Sequence, residues 1–521
     1  MKHSPTSLRL PVVLGLPVVV ITFLLLCGHN TARAQESVGG AGSIHSNAAS
    51  ETKDVLGGAS GVTTPRRTPR RSVSRPATAP STTRRRERPA QPGKPAAMDA
   101  DDYYEQGNTY LNANQNAQAL DAYKQAVRLK PDFVEAQQSL GYTYNALERY
   151  SEAIAPLQQA IGLKPDFAEA HYELGYAYRN LNRHAEAIAA YKKAISYKPD
   201  YSAAYYELGW TYNELKQYAE ALVPLNNAVR LNPQYAEAHN ELGYAYRYLK
   251  RYTESLENYK AAISLKPDYA SALFGLGDLY YYQLKQYAEA ADAYKRALQL
   301  KADNSTAFFN LGWAYNELQQ YAQATDALKN AIRLKADYAE AYAELGFASR
   351  QLNRNPEALA AYRQSISLKP DYASSYLGLG DVYYYNTKQY AQALEAYTQG
   401  LRLNPDLANA SVLYNIGWIH NDLEQYAQAV EPLQKAIRLK AEFAKAHVEL
   451  GYAYRHLDRY NDAVAAYKQA IGLNPKFADA HYNLGITYIY MKNRNGALEE
   501  YKILKTLNPE SAEKLYAEIN K

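Results

Sequence analysis

A Leu-Gly pair flanked by aromatics returns along this chain about every 34 residues, and that period limits what the chain can fold into. The stretch from Ser202 to Tyr235, SAAYYELGWTYNELKQYAEALVPLNNAVRLNPQY, shows the unit. Tyr205, Leu208, Gly209 and Tyr212 fall at helical spacing. Ala221, Leu225 and Ala228 do the same in a second segment, and Pro233 punctuates its end. Each segment therefore predicts a helix with one apolar face. Two helices this short cannot bury both faces alone, so the unit needs copies of itself on either side. The glycine recurs at Gly107, Gly141, Gly175, Gly209, Gly243, Gly277, Gly312, Gly346, Gly380, Gly417, Gly451 and Gly485. Leu precedes it except at Gln106 and Ile416. A small residue follows in each second segment, Ser255 in the fifth copy and Ala in the others. Nine copies close on proline, and Ala302, Ala336 and Ala441 stand in the remaining three.

An aromatic, Leu-Gly, an aromatic, Ala, a bulky residue, Ala and Pro in this order resembles the tetratricopeptide repeat. The resemblance covers about 410 of the 521 residues, in about twelve copies. It implies an all-α, right-handed superhelical α-solenoid of helix–turn–helix repeats over residues 99–511, with a concave binding face. It speaks to the fold and leaves the ligand open.

Met1–Ala34 opens with Lys2 and Arg9, runs apolar from Pro11 to Cys27 and leaves through Ala32-Arg33-Ala34. A basic start, a short apolar core and a small-x-small exit describe a secretory signal peptide over 1–34. The expected location is exported: periplasmic, envelope-associated or secreted. An uncleaved membrane anchor fits less well, because the run is short and Pro17 interrupts it. A lipid anchor on Cys27 fits less well because Leu26 is bulky. Cleavage after Ala34 removes the sole cysteine, and thiol and disulfide chemistry with it.

Residues 35–98 hold no Phe, Trp or Tyr and are rich in Ser, Thr, Gly, Pro and Ala, which predicts a disordered linker. From 61 to 98, nine Arg and one Lys face Glu87 alone, a net +9. Residues 1–60 carry about +1, so the chain's +5 leaves residues 99–521 near −5. The positive charge thus belongs to the linker. It suits adhesion to an anionic envelope polymer or, more simply, a soluble proline-stiffened spacer. With no aromatic interleaved to stack on bases, nucleic acid is not the expected partner.

The repeats carry a second level of order. Copies reading GYAYR or a variant, copies reading GDLYYY or GDVYYY, and copies reading GW and then Asn follow in turn. Residues 236–338 accordingly resemble 339–443 as a three-unit block. The YYY copies carry one extra residue between glycine and alanine, which predicts a longer turn. Two extra residues between Pro405 and Gly417 mark an expected irregularity. Pro156, Pro224 and Pro432 fall early enough in second helices to bend them and not break them. Ala512, Leu515, Tyr516 and Ile519 share one face, predicting a capping helix over 512–521.

Chemical motifs are missing. There is no HExxH pair, glycine-rich phosphate loop or GxSxG. His171, His239, His447 and His481 occupy one repeat position, which is a packing signature. Glu173, Glu207 and Glu241 recur in phase and read as solvated or intrahelical partners. The chain is not expected to be an enzyme, and no catalytic residue, metal, cofactor or small-molecule substrate is predicted.

What remains is a surface. In the first helix of each copy, positions two, five, nine and twelve form a stripe apart from the packing stripe. In the repeats this resembles, that stripe lines the concave groove. The ninth position supplies Tyr142, Tyr176, Trp210, Tyr244, Asp278, Trp313, Phe347, Asp381, Trp418 and Tyr452. The twelfth supplies Arg179, Asn213, Arg247, Asn316, Arg350, Asn421 and Arg455. Tyr, Trp and Arg anchor interfaces, and all three tryptophans of the chain lie here. The alternative is that these rings pack between neighbouring first helices with Arg stacked on them. Arg247 should meet Asp278 across adjacent first helices, and Arg350 should meet Asp381.

The expected function is an exported scaffold that holds an extended peptide or partner protein in this groove. The alternative is a cell-envelope assembly or tethering factor that uses the basic linker. O-GlcNAc transferases have similar repeat regions, but about ten residues follow the last copy, so no transferase domain is expected. The Lys and Asn pair by which related repeats clamp chaperone tails is missing from the groove positions.

Overall fold

The computed structural model describes residues 98–521; the predicted signal peptide and nearly all of the basic linker lie outside them. The described residues run as consecutive helix–turn–helix pairs, with no strand among them. Ala100–Asn112 with Asn116–Leu129 opens the series, and Ala478–Tyr490 with Arg494–Leu507 ends it. This is the all-α solenoid that the period predicts. No helix among the described residues is long and apolar enough to cross a membrane.

Each first helix packs on its own second helix and on the second helix of the pair before it. The recurrent glycine permits the first of these contacts. A Cβ on Gly312 would stand 2.6 Å from Leu328 Cγ, and one on Gly175 would stand 2.7 Å from the Tyr191 ring. Carbon atoms do not approach so closely, so no side chain fits where the second helix inserts its Leu or Tyr.

Successive pairs are joined by packing where polar caps would otherwise stand. Phe133, Phe167, Tyr201 and Tyr235 occupy N-cap positions and make no side-chain cap hydrogen bond. The Phe133 ring lies 4.9 Å from that of Tyr104, and the Tyr201 ring 5.0 Å from that of Tyr172. Polar residues at the fourth position reach back to the carbonyl of the preceding proline. Gln137 donates to Pro131 O at 3.0 Å, and His171 Nε2 lies 2.9 Å from Pro165 O. His481 Nε2 makes the same contact with Pro475 O at 3.1 Å. These histidines tie one pair to the next, which is the packing role their phase predicts.

Within each pair the chain reverses through one left-handed residue that is not glycine, such as Lys216 or Lys250, both at φ 60°. The bond from Gln217 N to Tyr212 O, 2.9 Å, closes the turn over five residues. The YYY copies do not have the longer turn expected of them. Their extra residue is absorbed inside the first helix, which widens into π-helix at Leu279–Leu284 and Val382–Thr387. The closing bond then spans six residues, from Gln286 N to Tyr280 O and from Gln389 N to Tyr383 O. The wider turn keeps these backbone groups paired, which an enlarged loop would not.

The junction after Pro405 is irregular, as expected: Pro405–Leu407 forms a short 3-10 turn, and Asn409 caps Ala410–Asp422. Pro156, Pro224 and Pro432 lie inside unbroken helices. The last helix spans Pro509–Ile519, so it starts before the predicted 512. It buries Ala512, Leu515 and Ile519, while Tyr516 stays exposed and stacks on Tyr501.

Candidate groove along the first helices

First helices touch neighbouring first helices along much of the stack, and second helices make no comparable contact with one another. The first helices therefore form the shorter, inner side of the curve. Their ninth and twelfth positions fall on it, and the structure divides the predicted residues into two sets. Tyr142, Tyr176, Tyr244, Arg247, Asp278, Phe347, Arg350, Trp418, Tyr452 and Arg455 are half-buried. Arg179, Trp210, Asn213, Trp313, Asn316, Asp381 and Asn421 are buried.

The picture of three exposed tryptophan anchors is thereby corrected. Trp313 is 1% exposed, with its ring 5.5 Å from Tyr281 of the preceding first helix and 5.5 Å from Phe309 of its own. Trp210 is buried beneath the Arg179 guanidinium, 3.7 Å from its ring. Trp418 lies edge-on to Tyr384 and Tyr390, at 5.5 and 4.9 Å, and keeps part of its surface open. Adjacent first helices stand close enough that a long ninth-position side chain is covered by the pair before it. Tyr281 and Tyr384 come from the π-helical segments, which bring an added ring to the tryptophan of the next pair.

The asparagines are engaged as well. Asn145, Asn213, Asn316 and Asn421 each donate through Nδ2 to the next first helix. They reach both the backbone oxygen and the carboxylate of Glu173, Glu241, Glu344 and Glu449, at 2.9–3.4 Å. Glu173, Glu207, Glu241 and Glu344 are buried, contrary to the solvated role their phase suggests. The sixth position faces the preceding first helix, not water. Burial pushes the Glu173 carboxyl up to about 7, with the Asn145 hydrogen bond acting against it. The Glu344 carboxyl is pushed up to about 8 by burial, against the Asn316 hydrogen bond.

Arginine takes the place of asparagine at three further links, and the YYY copies carry Tyr281 and Tyr384 there. Arg247 meets Asp278 at 3.0 Å and Arg350 meets Asp381 at 3.5 Å, the two pairs expected from the sequence. Arg179 meets Glu207 at 3.2 Å, a pair that sequence reasoning missed. The aspartates are held from a second side by Tyr294 and Tyr397, whose hydroxyls donate to them at 2.8 Å. In these two copies Gly275 and Gly378 occupy the sixth position, where others carry Glu, Asn or Ser. A Cβ on Gly275 would stand 2.5 Å from the Tyr259 ring, so the tyrosine takes that room and the acid moves to the ninth position.

The thirteenth position belongs to the wall too and was overlooked. Tyr248 stacks on Tyr218 at 4.6 Å, His456 on Tyr426 at 4.3 Å and Tyr490 on Tyr460 at 5.9 Å. Its signal is the spacing of four from the ninth position, which places both on one face of the helix.

Profiles described as TPR repeat match residues 107–147, 141–182, 210–247, 243–283, 280–319, 348–386 and 451–492. Tetratricopeptide repeat profiles match 168–201, 305–338, 371–442, 190–223 and 479–511. Among solved structures, the chain is similar to YrrB, described as a TPR protein with an unusual peptide-binding site. The two are 27% identical over 37% of this chain and 99% of that one, with a TM-score of 0.35. MamA is 25% identical over 32% of this chain and 95% of its own, with a TM-score of 0.30. No curated protein matches the chain. Repeat phase, stacked helix pairs and profile matches over more than half its length agree that the chain belongs to the tetratricopeptide repeat family.

Proposed function

We propose that this chain is an exported scaffold of about twelve repeats that binds an extended peptide, or a segment of a partner protein, along its inner wall. One observation carries the reading: the row of half-buried rings formed by Tyr142, Tyr176, Tyr244, Phe347, Trp418 and Tyr452. Tyr385 and Tyr490 add rings with about half their surface open. A ring packed on one side and open on the other is ordered before its partner arrives, which lowers the cost of binding. The buried tryptophans and the Asn–Glu links support this wall from beneath. The basic linker serves as spacer between the site of export and the repeats.

Two variants at one repeat position test the reading, after the partner is recovered from the native envelope with the full chain. Trp418→Ala should weaken partner binding by about 2 kcal/mol while helix content holds. Trp313→Ala should cost roughly 3–5 kcal/mol of stability and leave the affinity of the folded fraction unchanged. A Trp418→Ala protein that binds as tightly as the unaltered chain would remove the rings from the binding surface.

A further inference from the structure

Four arginines stand at the twelfth position of first helices, and three meet a carboxylate from the next pair. Arg455 does not: among the described residues, no ion pair joins it to an Asp or Glu. The sequence shows what has changed. By the three-unit order, the pair after Arg455 falls where the GD copies follow Arg247 and Arg350. Its ninth position is Ile486, where those copies carry Asp278 and Asp381. Its sixth position is Asn483, where the pair after Arg179 carries Glu207. Both places from which the fold supplies an internal acid have lost it.

The arginine itself is held in place. Its guanidinium lies 5.1 Å from the centre of the Tyr452 ring and 5.8 Å from that of Tyr490. It is half-buried beside the Tyr467 hydroxyl, and no carboxylate among the described residues pairs with it. Lys445 on the same helix replaces the acid that Glu237 and Glu340 supply at the second position of the equivalent copies. Lys445 acts on Asp479 of the next pair, whereas Arg455 has lost its acid to Ile486. A guanidinium steadied by rings and without an internal acid matches a carboxylate, which its planar fork binds through two hydrogen bonds.

We infer that Arg455 is a carboxylate-binding subsite at the C-terminal end of the groove, where an acid of the bound peptide takes the place of the aspartate that upstream pairs provide internally. The inference rests on the groove reading above. The acid is an Asp or Glu side chain or the terminal carboxylate of the peptide.

The test pans the full chain, with Arg455→Gln and Ile486→Asp forms, against two libraries of short random peptides. One library is acetylated and amidated at its ends, and the other keeps a free C-terminal carboxylate. Ile486→Asp restores the upstream pairing and closes the subsite from within, so it tests the idea without removing the arginine. The unaltered chain should retain amidated Asp- or Glu-bearing peptides about tenfold over their Asn or Gln counterparts, and both variants should lose that preference. A preference seen only with the free C-terminus, and lost in both variants, assigns the subsite to a chain end. Peptides retained without regard to acid would overturn the subsite and leave the groove standing. Acid preference that persists in both variants would overturn it by placing the carboxylate elsewhere. Retention from neither library would overturn the subsite and the groove together.

Discussion

The inner wall is tied together by two kinds of link, and they treat charge differently. At Asn316–Glu344 a neutral amide meets a buried carboxyl, which burial pushes up to about 8. At Arg350–Asp381, in the next link along the stack, burial also pushes the carboxyl up, but a guanidinium stands opposite and favours the charged form. An amide satisfies a carboxylate's lone pairs without neutralising it, so a proton performs that task. The guanidinium performs it directly. The Glu344 link thus stores a proton, and its neighbour at Asp381 stores an ion pair.

Breaking an ion-pair link should have the largest effect. Arg350 and Asp381 are 11% and 8% exposed at their side chains, so little solvent is present to screen them. Arg350→Met leaves Asp381 with the Tyr397 hydroxyl alone, and the expected loss is roughly 3–5 kcal/mol at neutral pH. Adding Asp381→Leu should recover most of it, because two apolar side chains leave no unpaired charge. Denaturant midpoints of both forms check this. If the single variant unfolds at the midpoint of the unaltered chain, the pair is screened and the contrast between the links collapses.

The proton-storing link should respond to pH with the opposite dependence from that of an ordinary paired carboxylate. Glu344 has a higher affinity for its proton folded than unfolded, so its contribution is complete at acidic pH. It is lost as pH rises from the ordinary carboxylate range through about 8. Glu344→Gln keeps an oxygen for Asn316 and removes the titration. The variant should therefore gain up to about 4 kcal/mol over the unaltered chain at pH 8 and lose the slope below it. Equal slopes for the two proteins would show that Glu344 ionises without penalty, and the link would belong with the ion pairs.

These links mark where the sequence stops being sufficient. The fold was legible because Gly312 and its equivalents recur in phase with the Ala and Leu or Tyr that press against them. Arg247–Asp278 and Arg350–Asp381 were legible because opposite charges stand at facing positions of successive copies. Glu344 was not, since a glutamate recurring in phase looks the same whether water or an asparagine receives it. Trp313 was misplaced because helical phase gives the direction of a side chain and not the distance to the next helix. The extra residue of the YYY copies was countable, but its absorption in a π-turn depends on the second helix holding its place in the stack.

The smallest effect sharpens the comparison at the turns that follow the two kinds of link. Lys216 lies three residues after Asn213, and Lys250 three after Arg247; each donates its N–H to the carbonyl of that residue, at 3.0 and 3.1 Å. Both lysines hold φ 60°, a region where a Cβ is strained and glycine is not. Replacing either with glycine relieves that strain but gives the unfolded chain more freedom, so the net gain should be at most about 1 kcal/mol. If the links differ only in how they neutralise a carboxyl, Lys216→Gly and Lys250→Gly should shift the melting temperature equally. A looser turn lets the twelfth-position side chain move, and an ion pair loses more from misplacement than an amide that also reaches a backbone oxygen. A smaller gain for Lys250→Gly alone would mean that the arginine link depends on its turn for alignment. The two kinds of link would then differ in mechanics as well as in charge.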